Sequence, residues 1–84
     1  MSIALKFIDI LEFNIVDKDY RLSKYENEIV TYHWLEKNII LDILVQENIC
    51  AINDNNDVLW FSLENDDIKN ISPKILQTIN DLIT

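Results

Sequence analysis

IVTYHWLEKNIILDILVQENICAINDNNDVLWFSL, residues 29 to 63, is the stretch on which the fold turns. Its first run, Ile29 to Leu35, is β-branched and aromatic, a composition that suits a half-buried pleated surface, and it stops at the turn-compatible trio Glu36-Lys37-Asn38. From Ile39 the side chains separate by parity. Ile39, Leu41, Ile43 and Val45 are all apolar, while Ile40, Asp42, Leu44 and Gln46 are mixed, and a period of two puts the sets on opposite faces of a strand. Glu47-Asn48 can close a short hairpin into Ile49 to Asn53. Asp54-Asn55-Asn56-Asp57 is the clearest turn in the chain, because all four side chains can hydrogen-bond nearby backbone in turn conformations. Val58 to Leu63 then reads as a fourth strand, with Leu59, Phe61 and Leu63 on one face and Val58, Trp60 and Ser62 on the other. Links this short cannot carry parallel crossovers, so the four strands form an antiparallel meander.

Ahead of the strands, residues 3 to 13 place Lys6, Asp9 and Glu12 at a spacing of three, with Ser2 positioned to cap, and this predicts a helix. Ile3, Ala4, Leu5, Phe7, Ile8, Ile10, Leu11 and Phe13 give that helix an apolar face wide enough to be mostly buried. The segment Asn14 to Asn27 is mixed and polar and reads as a connection with room for one helical turn. Beyond the strands, Ser72 as N-cap and Pro73 as first helical residue predict a second helix to about Ile83, with Ile75, Leu76, Ile79, Leu82 and Ile83 on one stripe. The expectation is a single compact α+β domain over residues 1–84, a two-layer fold with a four-stranded meander flanked in sequence by an N-terminal and a C-terminal helix. Both helices on one face, or one on each, are compatible with the pattern.

Composition narrows the function. Hydrophobic residues are 49% of 84, spread along the chain, which argues against a disordered acidic tail. There is no glycine, so phosphate-cradling loops, dinucleotide fingerprints and nucleophile elbows are excluded. The opening residues are interrupted by Lys6, Asp9 and Glu12, and no apolar run approaches the roughly 18 residues of a membrane span, so the expected location is cytoplasmic, with no membrane partner. Cys50 is the only cysteine, and a small buried apolar role suits it. His33 is the only histidine, without a second metal ligand at a recognised spacing. The pairs Asp54 with Asp57 and Asp66 with Asp67 sit in polar turns with nothing to split their pKa values, and the turn lacks the glycine of a calcium loop. No catalytic, cofactor or metal residues are expected, and the chain reads as a binding protein rather than an enzyme.

The charge distribution is uneven. Lys37 and Lys69 are consecutive bases, and between them lie Asp42, Glu47, Asp54, Asp57, Glu64, Asp66 and Asp67, nearly the whole of the net charge of −8. If helices cover the Leu41, Ile43, Leu59 and Phe61 face, the other presents Ile40, Leu44, Val58 and Trp60 beside Asp42 and Ser62, a composition suited to a protein-binding hot spot. An acidic surface repels nucleic acid and attracts proteins with basic grooves, so the expected partner is a basic protein, a nuclease or another nucleic-acid-binding protein, held through those seven acids and Trp60. In size, acidity and lack of catalytic motifs the chain is similar to bacterial toxin-immunity proteins, which implies an inhibitor occluding a toxin's cleft. A phage-encoded anti-defence protein, an anti-CRISPR or DNA mimic, fits the same physics, and an adaptor or subunit of a larger assembly is a third reading.

Overall fold

A computed structural model of the chain describes residues 2 to 63 and 68 to 84. It starts with α1 (Ile3–Asn14), capped as its sequence predicts: the Ser2 hydroxyl accepts the Leu5 N–H at 3.1 Å, satisfying one of the donors that a helix start leaves unpaired. A second is met from across the molecule, where the Asn48 side-chain oxygen accepts the Ala4 N–H at 3.2 Å. Five strands follow, β1 (Arg21–Tyr25), β2 (Ile29–Trp34), β3 (Ile39–Leu44), β4 (Ile49–Asn53) and β5 (Val58–Ser62), and then α2 (Ile68–Ile83). The sheet order is β1-β2-β3-β4-β5 and every pairing is antiparallel. The meander is therefore the expected one with a strand added. β1 lies inside the segment read as a connection, and all five of its residues are exposed, so it carries no apolar alternation to announce it.

Two hairpins use the same device in place of glycine. Residues 35 to 38 and 45 to 48 link the pairs Trp34↔Ile39 and Leu44↔Ile49. Each link ends on an asparagine of positive φ, 55° at Asn38 and 54° at Asn48, a conformation that asparagine tolerates better than most residues. Asn55, at φ 85°, serves the β4–β5 turn, which Asp54 braces by accepting the N–H groups of Asn56 and Asp57.

Both helices lie on one face of the sheet. Ala4, Phe7 and Leu11 of α1 and Ile75, Ile79 and Ile83 of α2 share one core with Val30, Tyr32, Trp34, Ile39, Leu41, Ile43, Cys50 and Ile52. Asn80 binds the two helices together, its side-chain oxygen accepting the Val16 N–H at 3.1 Å and its amide donating to the Asn14 carbonyl at 3.4 Å. The buried stripe of α1 is narrower than expected: Leu5 is exposed and Phe13 is 85% exposed, because nine residues at about 100° each set Phe13 opposite Ala4 on the helix. α2 also departs from expectation. It begins at Ile68, so Pro73 stands inside the helix, where it leaves one intrahelical bond unmade. Ser72 is not a cap; it precedes Ile75 and Ile79 on the inward stripe, is buried, and its hydroxyl has no hydrogen-bond partner among the described residues.

The segment between α1 and β1 is pinned to the same core. The Trp34 indole N–H donates to the Asp17 carbonyl at 2.9 Å, Lys37 pairs with the Asp17 carboxylate, and Tyr20 meets Tyr32 and Trp34 edge-on at 5.0 and 5.5 Å. Among the described residues no helix is long and apolar enough to cross a membrane.

Candidate protein-binding face

Residues paired across an antiparallel ladder share a face, so the registers lay out the uncovered side of the sheet as three rows. Arg21, His33, Ile40, Asn53 and Val58 form the first row, at the end of the sheet nearest the β2–β3 and β4–β5 turns. Ser23, Thr31, Asp42, Ala51 and Trp60 form the middle row, and Tyr25, Ile29, Leu44, Ile49 and Ser62 the third. Neither helix packs here. Trp60 is 62% exposed, Tyr25 and Val58 are exposed, and Ile29, Ile40, Leu44 and Ile49 are half-buried.

Asp42 sits at the centre of this face. The Thr31 hydroxyl donates to its Oδ1 at 2.6 Å and fixes the carboxylate in place. At the β5 edge, Trp60 lines a groove of about 350 Å³ with Glu47, Ile49, Phe61 and Ser62. No lysine, arginine or histidine stands in β3, β4 or β5, whereas Arg21 and Lys24 stand in β1 and His33 in β2. Of these, Arg21 and His33 stand on the open face, at its β1–β2 corner, while across β3 to β5 that face is apolar apart from the Asp42 carboxylate and the polar Asn53 and Ser62.

Of the residues expected to bind a partner, Asp42, Glu47 and Trp60 come together on the β3–β5 half. Asp54 and Asp57 do not join them. They lie in the turn at the far end of β4, roughly 16 Å from Glu47 at the rise of a strand. Asp54 is also engaged locally, since the Asp57 N–H at 2.9 Å and the Asn56 N–H at 3.2 Å hold its carboxyl below the usual carboxylate range. Glu64, Asp66 and Asp67 lie outside the described residues. Tyr25 and Ile29 extend the apolar surface beyond what the sequence suggested, because they join it only through the pairing of β1 with β2.

On the helical side, α1 leaves part of the sheet uncovered, and a groove of about 440 Å³ opens over Leu5, Ile8, Val30 and Val45, rimmed by Asp9, Glu12, Lys24 and Glu26. Glu12 is already used there: its Oε2 accepts the Tyr32 phenol at 2.7 Å, and burial, with this carboxylate second, pushes the phenol's pKa up. Cys50 is buried, and burial together with the nearby Asp42 charge raises its thiol to about 12, so it stays protonated and serves as packing. Among the described residues, no three His, Cys, Asp or Glu side chains converge as metal ligands. No family model, curated protein or solved structure matches the chain.

Proposed function

We propose that this protein is an inhibitor that occludes the basic cleft of a partner protein, and that it acts as an immunity protein against a nuclease toxin. The observation that supports this is the open sheet face: an exposed Trp60 and a fixed Asp42 in one cross-strand row, on a half of the sheet whose strands hold no base. A buried-able aromatic beside charge that guides encounter is the arrangement by which acidic inhibitors combine speed with a slow release. Asp42 would meet an arginine or lysine of the cleft, and Trp60 would fill an adjoining apolar recess.

The test is a titration of the purified protein into nuclease toxins, beginning with any encoded beside its own gene, read as nuclease activity. Stoichiometric inhibition by the wild type is expected, with Trp60→Ala weakened by about 30-fold, the equivalent of about 2 kcal/mol at a central anchor. Inhibition left unchanged in a folded Trp60→Ala variant, or no inhibition by the folded wild type, removes the reading.

A further inference from the structure

An open sheet has two edges, and here they differ. β1 carries Arg21 and Lys24, charges of the kind that keep an edge from pairing with another chain. β5 is Val-Leu-Trp-Phe-Ser, without a charge or a proline. Its register with β4 runs unbroken from Asn53↔Val58 to Ile49↔Ser62, so no bulge bends it away, and among the described residues no strand pairs with its outer side.

The ladder fixes where its backbone points. The Asp54 N–H donates to the Asp57 carbonyl at 3.1 Å and the Leu63 N–H to the Asn48 carbonyl at 2.6 Å, both in the register of the strands. Hydrogen-bonded pairs alternate along an antiparallel ladder, so Asp57, Leu59, Phe61 and Leu63 turn their backbone groups toward β4. Val58 and Trp60, of the opposite parity, turn theirs outward. Their side chains are exposed, and so is that of Leu59 on the other face.

We infer that β5 is a docking edge, on which an extended basic segment of the partner protein adds as a sixth strand. The inference rests on the reading of the preceding subsection and gives its mode of contact. Charge selects the occupant: Glu47 lines the groove at one end of β5, Asp57 immediately precedes Val58 at the other, and Asp42 lies on the open face between them. Lysines or arginines along an added strand would meet carboxylates at both ends, whereas a second copy of this chain would bring −8 against −8. Backbone bonds to Val58 and Trp60 would supply affinity, and alternate side chains of the segment would fall beside Trp60 on one face and beside Leu59 and Phe61 on the other.

The probe is a short alternating Lys-Val peptide with blocked ends, compared with a Glu-Val peptide of equal length and with the Lys-Val peptide N-methylated along one edge. Binding is read from Trp60 emission and from backbone amide shifts. The Lys-Val peptide is expected to bind and to shift the Val58 and Trp60 amides most, with the Glu-Val and N-methylated peptides weaker by about tenfold or more. Val58→Pro removes an outward donor at the first residue of the strand, a position where proline is tolerated, and leaves Trp60 and every acid in place; it is expected to weaken binding by a similar factor. Binding of the N-methylated peptide equal to that of its parent overturns the inference without recourse to any variant. So does a folded Val58→Pro protein that binds the peptide as the wild type does. Sedimentation is expected to show a monomer; a dimer dispersed by Val58→Pro would assign the edge to a second copy and overturn it as well. Nuclease inhibition that survives in a Val58→Pro protein unable to bind peptide sinks strand addition alone, while peptide binding without any inhibited toxin sinks only the preceding reading.

Discussion

Trp34 and Trp60 are the same side chain on the same sheet, with opposite consequences for the fold. Trp34 is 1% exposed, donates its indole N–H to the Asp17 carbonyl at 2.9 Å and stacks on Tyr32 at 6.4 Å. Trp34→Ala empties that space and strips a partly buried carbonyl of its donor, so a loss of about 3–5 kcal/mol is expected. Trp60→Ala deletes an exposed ring and is expected to stay within about 0.5 kcal/mol of the wild type. Thermal unfolding followed by circular dichroism compares the two, and a large loss in Trp60→Ala would place that ring in the core. The parity of these residues was legible in the sequence, but the identity of the covered side was not. Asp42 and Ser62 mark one face as the mixed one, but Ile40, Leu44, Val58 and Trp60 beside them are apolar enough for a helix of their own, and the docking of both helices on the other side is what leaves them open. Tyr32 adds a pH signature. Its buried phenol keeps its proton to higher pH in the folded protein than in the unfolded chain, so the stability linked to it is intact below about pH 10 and is lost as pH rises further. Tyr32→Phe forfeits the hydrogen bond to Glu12, about 1 kcal/mol at neutral pH, and should show a shallower decline in alkali. Equal alkaline slopes for the two proteins would refute the assignment.

Among the elements, the turns show how a chain without glycine still makes tight hairpins. Asn38 and Asn48 occupy the same position of two equal links, but only Asn48 carries a second duty, accepting the Ala4 N–H at the start of α1. Glycine adopts positive φ freely, so Asn38→Gly is expected to leave stability within about 0.5 kcal/mol, while Asn48→Gly keeps the turn, loses the bond to α1 and costs about 1 kcal/mol. Urea unfolding of the pair decides; equal losses would mean that the bond across the molecule contributes nothing. These asparagines, with the Asp54 to Asp57 tract, are the reason that four strands could be placed from sequence to within a residue or two. β1 escaped because burial, which creates the alternation that a reader looks for, is absent along all of Arg21–Tyr25. The start of α2 escaped because Ser72-Pro73 resembles a helix opening, although Ser72 belongs to the inward stripe.

For the molecule as a whole, the imbalance of charge was plain in the sequence while its geography was not. Among the described residues, the unopposed acids do not gather in one place: Glu47 and the Asp54–Asp57 turn lie at opposite ends of β4, with Asp42 between them on the open face. A field of this kind guides approach over its full extent and contributes little at any single exposed group. Raising ionic strength is therefore expected to slow association with a basic partner far more than it speeds dissociation, and Asp57→Asn should weaken binding by about 1 kcal/mol or less. Stopped-flow association across a salt series measures this, and a rate indifferent to salt would remove electrostatic guidance from the mechanism.

The plain order of the strands also sets a sequence of events in time. Each strand pairs with the one before it across a link of three or four residues, whereas the helices meet only when the two ends of the chain do. The bond from Val16 to Asn80 spans 64 positions. Closing a loop of that length costs roughly 1.6 kcal/mol more chain entropy than closing one of about ten residues. The barrier to folding should accordingly be crossed with the hairpins formed and the helical layer still loose. Ile43→Val, in β3, is then expected to slow folding, and Ile79→Val, in α2, to speed unfolding while leaving the folding rate nearly alone. The helix pair becomes the latch that governs how long the native state lasts, and the sheet the clock that governs how soon it forms.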